Sequence, residues 1–288
     1  MVTGSMSRAI DVNHLGRDRV ICAFETPAGI VDPGPTSSVE TLLDALEEEP
    51  RALLLTHIHL DHAGAAGVLC RKFPQLRVYV HERGARHLAD PSRLLASAER
   101  LYGDQMDRLW GEFAPVPEER IVALAGGERI EGGFEVAYTP GHASHHVSYL
   151  DEVTGEAYVG DVCGVRIPPH EYVIPPTPPP DIDVELWMRS LDQVANWRPR
   201  ALNLTHFGRY EDVPEHIERL RESLALRSEK SRSLEPEAFN DWSQAETRAS
   251  VDAATAEALF QAAVPDQMGA GLRRYWDKRL EREQEAVK

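Results

Sequence analysis

Thr56-His57-Ile58-His59-Leu60-Asp61-His62 sets four side chains able to ligate metal within six residues of one another. Residues 52–55, just upstream, are an apolar Ala-Leu-Leu-Leu run, which reads as a buried strand ending at Thr56. Small residues follow, Ala63-Gly64-Ala65-Ala66-Gly67, so that backbone can pack closely around the cluster. Histidine and aspartate are the ligand types expected for zinc and similar ions. In an extended turn the alternating His57 and His59 point to one side. A helix starting near Asp61 sends Asp61 and His62 toward a neighbouring point, so the segment suits two adjacent ions. A single histidine at a strand end is more often an ordinary polar residue. Four ligand types together in this setting match a metal motif.

Outward from this segment the chain alternates strands and helices. Residues 19–25 and 29–31 read as short strands, and Val31-Asp32-Pro33-Gly34 breaks the chain sharply. Residues 38–49 read as an amphipathic helix, 63–73 as a helix opening on small residues, and 77–81 as a strand. This order belongs to an α/β protein. Residues 82–110 read as a helical insertion, followed by β-type segments at 120–124, 134–139, 146–150 and 157–159. Residues 168–180 are too rich in proline for regular helix and read as a stiff surface loop. A helix over 183–197 and a strand over 201–205 come next, and nearly everything beyond is helical and charged. The expected division is a catalytic domain, residues 1–210, and a helical C-terminal extension, residues 211–288. Residues 1–8, polar and rich in Gly and Ser, are expected to be disordered.

A chain of 288 residues, 42% of them hydrophobic, supports a real core. Acidic residues outnumber basic ones by 47 to 31, for a formal charge of −16. A polyanion binder needs a basic face, so no nucleic-acid partner is expected. No stretch approaches the length of a transmembrane helix, and the N-terminus lacks the apolar run of a secretory signal. Cys22, Cys70 and Cys163 lie far apart without a CxxC pair. That argues against a disulfide framework and fits a cytoplasmic location.

His57-x-His59-x-Asp61-His62 resembles the HxHxDH signature of the metallo-β-lactamase superfamily. In order along the chain, Thr139-Pro140-Gly141-His142 resembles the family's strand-to-turn histidine. Gly160-Asp161 resembles its bridging aspartate, and Leu204-Thr205-His206 its last histidine. The resemblance spans residues 19–210 and implies a four-layer αββα fold, two mixed sheets sandwiched between helices with the metals at one edge. It implies that His57, His59 and His142 ligate one divalent ion, that Asp61, His62 and His206 ligate a second, and that Asp161 bridges them. A hydroxide between the ions would be the nucleophile, with Asp61 orienting it or carrying a proton. Zinc is the first expectation, and iron and manganese also suit such a donor set.

His146 matches a position where relatives of glyoxalase II often carry a second histidine, although His145 here replaces the usual glycine. His146 reads either as a support holding a ligand through a hydrogen bond or as a core histidine. His170 and Tyr172, in the proline-rich loop, are candidates for the pocket. His14, His81, His87 and His216 show no cluster and read as ordinary polar residues. In the C-terminal helices Trp242, Phe260, Met268 and Tyr275 read most simply as packing residues; the resemblance implies that such helices shape a pocket, and a homodimer contact is the competing use.

Among the family's chemistries, Asp161 argues against antibiotic hydrolysis, because those members usually lack that aspartate. His59 argues against the diiron oxidoreductases, which typically carry glutamate there. The acidic charge argues against nucleases. The first expectation is therefore a dinuclear hydrolase of a small-molecule thioester, ester or lactone. A small-molecule phosphodiesterase and a mononuclear iron persulfide dioxygenase are the alternatives. A non-catalytic metal-binding protein is least favoured, because the donor set is intact.

Overall fold

A computed structural model describes residues 7–286 as two six-stranded sheets packed face to face with helices outside. The first sheet runs β1 (Arg8–Asp11), β2 (Cys22–Thr26), β3 (Gly29–Val31), β4 (Ala52–Leu54), β5 (Arg77–His81) and β6 (Ile121–Leu124), in that spatial order. Strands β1 to β3 pair antiparallel and β3 to β6 parallel. The parallel crossovers are made by α1 (Val39–Ala45), then α2 (Leu60–Ala63) and α3 (Ala66–Lys72), then α4 (Glu82–Ala89), α5 (Ser92–Tyr102) and α6 (Met106–Leu109). The second sheet is β7 (Arg129–Ile130), β8 (Phe134–Tyr138), β9 (Val147–Asp151), β10 (Glu156–Tyr158), β11 (Ala201–Leu204) and β12 (Gly208–Tyr210). It is antiparallel except at β10–β11, which α7 (Val184–Asn196) joins in parallel. The chain closes with α8 (Val213–Ser233), α9 (Pro236–Ser250), α10 (Ala253–Ala262) and α11 (Pro265–Ala286). No described helix is long and apolar enough to cross a membrane.

Three cores follow from the two-residue period of a strand. Cys22, Phe24, Leu54, Tyr79, Val147, Tyr149 and Tyr158 point between the sheets. Their chain neighbours Ala23, Leu53, Val78 and Val80 point the other way, into the helices over the first sheet. Ala157, Leu202 and Leu204 meet α7 and α8 over the second. Each fully buried aliphatic side chain contributes about 1.5–3 kcal/mol. The helices beyond Tyr210 share these outer cores. Phe239, Leu272 and Tyr275 pack with Trp187, while Leu259 and Met268 join the cluster over the first sheet.

Three boundaries differ from expectation for local reasons. The strand expected over 19–25 begins at Cys22, because Arg19 turns through left-handed backbone (φ 60°) and its N–H donates to Asp11 Oδ2 at 2.7 Å. The helix expected to reach residue 49 ends at Ala45, since Pro50 disfavours helical backbone before it and Glu47 N–H donates to Glu25 Oε1 instead. Of the stretch 1–8 expected to be disordered, residues 1–6 lie outside the described residues, whereas Arg8 opens β1 and its Nε donates to Glu25 Oε2 at 3.1 Å.

Candidate metal centre and substrate cavity

The chemistry-bearing residues all follow the C-terminal ends of strands, and the two sheets are joined there. Val147 N–H donates to Thr56 O at 2.8 Å, Tyr149 O–H to Leu55 O at 2.8 Å, and Cys22 N–H to Thr205 O at 2.8 Å. The turn after β4 carries His57 and His59, and α2 presents Asp61 and His62. His142 follows β8, Asp161 follows β10 and His206 follows β11. Helix α7 braces two of these turns. Its Trp187 indole donates to Val162 O at 2.7 Å, and Ser190 O–H donates to Pro140 O at 2.6 Å. Gly141, with φ 134°, lies so close to this helix that a Cβ there would sit 2.3 Å from Trp187 Cα. A side chain at 141 would push His142 off its seat.

The seven side chains converge in two adjoining groups, His57, His59, His142 and Asp161 in one and Asp61, His62 and His206 in the other. His59 Nδ1 lies 2.9 Å from His57 Nε2 and 3.0 Å from His142 Nε2. Asp161 joins the groups. Its Oδ2 is 3.3 Å from His142 Nε2, and its Oδ1 is 3.3 Å from His62 Nε2 and 3.6 Å from His206 Nε2. Asp61 Oδ2 is 3.3 Å from His206 Nε2.

The outer ring nitrogens show which way each lone pair faces. His142 Nδ1 donates to Pro176 O at 2.8 Å, and His206 Nδ1 donates to Val20 O at 2.6 Å. His62 Nδ1 donates to Asp32 Oδ2 at 2.7 Å. The Thr56 hydroxyl gives its hydrogen to Asp32 Oδ2 (2.7 Å), so its oxygen accepts from His57 Nδ1 at 3.0 Å. With Nδ1 donating outward in all four, each Nε2 points into the centre and offers its lone pair there whenever the ring is neutral, the arrangement that outer partners impose on metal-binding histidines. His62 Nε2, His206 Nε2 and Asp161 Oδ1 are buried without a hydrogen-bond partner. Orphaned buried polar atoms are costly in a protein. Seven imidazole and carboxylate groups aimed at two points, three of their atoms orphaned, fit two divalent cations.

The electrostatics of the centre make cation binding depend on pH. Burial works to lower the His62 pKa, but the carboxylates of Asp161, Asp61 and Asp32 outweigh it and hold it well above the ordinary imidazole value. His206 is raised in the same way, by Asp161 and Asp61 against burial. Burial and neighbouring imidazoles push His57 far down, and burial with His142 brings His59 down to about 4. Burial opposes ionisation of Asp161 and Asp61, yet the surrounding histidines keep both carboxyls below their usual range. Without metal, His62 and His206 therefore hold a proton more tightly than a free imidazole, and a cation must displace it. Metal affinity is expected to rise with pH, with net proton release on binding. Calorimetry of zinc binding in two buffers of different ionisation enthalpy measures that release. A pH-independent affinity with no release would contradict this protonation pattern.

His59, Asp61 and Asp161 form the floor of a cavity of about 840 Å³. Its walls come from α4 and α5, from Leu109 and Trp110, from prolines of the 176–180 segment, from Val264 between α10 and α11, and from Gln267 and Met268 of α11. The proline-rich loop thus reaches the cavity through Pro176 and Pro178 to Pro180, and Pro176 O also seats His142. His170 and Tyr172, expected there, do not line it. His170 Nε2 bonds Asp252 at 2.7 Å, and the Tyr172 hydroxyl is held by Arg227, Glu246 and Thr247. Their side chains are drawn to α8, α9 and Asp252, away from the metals. His146 is fully buried behind His57, with ring centroids 5.0 Å apart, and its Nδ1 pairs with Thr139 Oγ1 at 2.9 Å. It backs a ligand ring without facing the cavity.

Three residues of the site carried no sequence signal strong enough to find them. Asp32 anchors His62. His145 lines the cavity beside His59, with centroids 5.7 Å apart. His14 also lines it, stacked on Trp110 at 5.5 Å.

Comparison with known proteins agrees with this geometry. Residues 24–206 match the family model described as metallo-beta-lactamase superfamily. The chain belongs to the metallo-beta-lactamase superfamily, whose members are mostly metal-dependent hydrolases. A metallo-beta-lactamase fold-containing protein of Sulfurisphaera tokodaii is 29% identical over 187 residues, 62% of this chain and 68% of that one. A hydroxyacylglutathione hydrolase of an Enterobacter species is 35% identical over 141 residues, 47% of this chain and 44% of that protein, so the chain spans under half the length of that relative. Among solved structures, an archaeal metallo-beta-lactamase superfamily protein from Sulfolobus tokodaii superposes with a TM-score of 0.70 at 23% identity, covering 94% of this chain and 98% of that one. A metallo-beta-lactamase family protein from Thermus thermophilus gives 0.67 at 19% identity, covering 95% and 93%. At these identities the two structures speak for the fold alone.

Proposed function

We propose that the protein hydrolyses a small-molecule thioester, ester or lactone at a dinuclear centre, with zinc as the first choice of ion and iron or manganese as alternatives. The observation that carries this reading is the position of the donor set at the floor of one cavity, which His59, Asp61 and Asp161 line. Asp61 illustrates it. Its side chain is 20% exposed against 5% for Asp161, so of the two carboxylates on the floor it is the more open to the substrate space. Bound divalent ions would supply Lewis-acid polarisation of a carbonyl and a water of lowered pKa. Asp61, open to the cavity and held in its ionised form, is placed to orient that water or to take its proton. His57, His142 and His206 hold their positions through Thr56, Pro176 and Val20, so the centre needs little rearrangement on binding substrate. Leu94, Leu101, Leu109, Trp110 and Met268 give the cavity an apolar wall suited to an acyl group, and a volume near 840 Å³ fits a small molecule. The relative named hydroxyacylglutathione hydrolase supports the same class at partial coverage.

The test is metal content of protein purified without chelators, measured beside hydrolysis of matched thioester, ester, lactone and phosphodiester substrates. Two ions per chain with turnover of an acyl substrate supports the proposal. Turnover of the phosphodiester alone would move the protein to the phosphodiesterase reading. A single iron with oxygen uptake on a persulfide and no hydrolysis would move it to the dioxygenase.

A further inference from the structure

The cavity wall carries charge that metal binding does not use. Helix α4 packs directly over the His57–His59 turn. Gly84 permits this, since a Cβ there would lie 2.8 Å from Ile58 Cγ2 and 3.6 Å from His145 Cβ. That approach brings Arg83 and Arg86, one helical turn apart, to the cavity, and Arg93 in the first turn of α5 joins them. All three line the cavity, and all three are exposed, so they stand at its mouth. None is ion-paired among the described residues. Arg86 Nε reaches His87 at 3.2 Å, and Arg83 stacks over Tyr138 at 5.6 Å. Buried arginines elsewhere are neutralised, Arg166 by Asp212 and Arg227 by Glu246. Burial lowers the pKa of His87, and Arg86 and Arg93 lower it further, so these two guanidiniums act on one point. Two carboxylates beyond the donor set also line the cavity, Glu82 and Asp181, but Asp181 is occupied by Ser144, whose O–H and N–H reach it at 2.5 and 3.3 Å. In a chain of formal charge −16, three free guanidiniums around one opening mark a place for an anion.

We infer that the substrate carries, besides an apolar acyl part, a carboxylate or phosphate group held at the cavity mouth by Arg83, Arg86 and Arg93. The inference rests on the hydrolase reading and narrows its substrate class to anionic acyl compounds. The apolar part lies along Leu94, Leu101 and Met268, its scissile carbonyl meets the floor, and its charged end points out toward α4 and α5. Arginine suits this role because its planar fork holds a carboxylate or phosphate through two parallel hydrogen bonds.

Binding of non-hydrolysable thioethers to the metal-loaded protein tests the inference without requiring turnover. The probes are S-hexyl mercaptoethanol, which is neutral, its O-phosphate, and S-hexyl 3-mercaptopropionate. Calorimetry is expected to show at least one anionic probe binding about tenfold or more tighter than the neutral one, as for two or three charge-assisted contacts at an accessible site. The better of the two anions identifies carboxylate or phosphate as the preferred group. The preference should shrink with added salt and disappear in the Arg83→Gln/Arg86→Gln/Arg93→Gln variant, whose neutral-probe affinity stays unchanged. All three side chains are exposed, so the variant should keep the parent's circular dichroism and metal content. Equal affinities in the parent, or no binding of any probe, would overturn the inference. A preference that survives in the variant would also overturn it, by placing the anion on the metals. Hydrolysis of the matching hexanoyl thioesters is scored separately. No turnover despite arginine-dependent anion binding would sink the hydrolase reading while leaving the anion site standing.

Discussion

Asp161→Ala is expected to purify as a folded protein that holds one metal ion or none and has lost roughly three orders of magnitude in kcat/KM, about 4 kcal/mol of transition-state stabilisation. Asp161 is the one donor whose two oxygens face both groups, Oδ2 toward His142 and Oδ1 toward His62 and His206. Removing it leaves three histidines on one side and Asp61 with two histidines on the other, and nothing to neutralise the charge between two cations. The fold should survive, because Asp161 sits after β10 and takes no part in a ladder, and its neighbour Val162 keeps its bond to Trp187. Metal analysis, circular dichroism and turnover on one preparation check all three statements. Two ions per chain with full activity would refute the bridging role.

The second large effect is expected at Asp32. Its carboxylate is fully buried and accepts four hydrogen bonds, from Thr56 N–H at 2.8 Å, and from Thr56 O–H, Thr205 O–H and His62 Nδ1–H, each at 2.7 Å. These donors come from the strand ends of both sheets, so one side chain ties the sandwich together beneath the metals. Asp32→Ala strands all four donors and should cost about 3–5 kcal/mol, as when one partner of a buried charged network is removed. The backbone at Asp32, with φ 46°, adds to the loss, because aspartate tolerates this left-handed region better than alanine does. A cost of that size is a large share of the usual 5–15 kcal/mol of stability. Asp32→Asn separates stability from function. Its amide must present N–H either to Thr56 N–H, which disturbs the turn carrying His57, or to His62 Nδ1–H, which turns the ring of His62. A folded Asn variant is expected to bind metal about 10–100-fold more weakly. Denaturant unfolding and metal titration measure the two effects, and wild-type values for both would remove Asp32 from the site.

The donors could be read from the sequence because ligand types crowd into one short segment and the remainder follow strand ends. Asp32 could not. In Val31-Asp32-Pro33-Gly34 an aspartate before Pro-Gly looks like any turn former, and its partners lie 24, 30 and 173 residues away. His14 and His145 stayed hidden for the same reason, since only tertiary packing brings them to the cavity. His170 and Tyr172 were nominated by nearness in sequence to Asp161, and sequence distance is a poor guide where a stiff proline segment carries the chain away. Among the strands, β4 announced itself by an unbroken apolar run, the mark of a parallel strand buried on both faces. Strands β1, β7 and β12 have four, two and three residues and lie at sheet edges, too short to display a period.

The reacting centre and the wall of its cavity are written in different parts of the chain. The ligands follow strand ends and are held by residues such as Val20, Asp32 and Thr56, while much of the wall comes from the inserted helices α4 to α6 and from the C-terminal segment around Val264 and Met268. Drift in the wall can therefore alter which molecule is accepted while leaving the hydrolytic apparatus intact. Such a division lets a lineage explore new metabolites one surface residue at a time, without passing through an inactive ancestor.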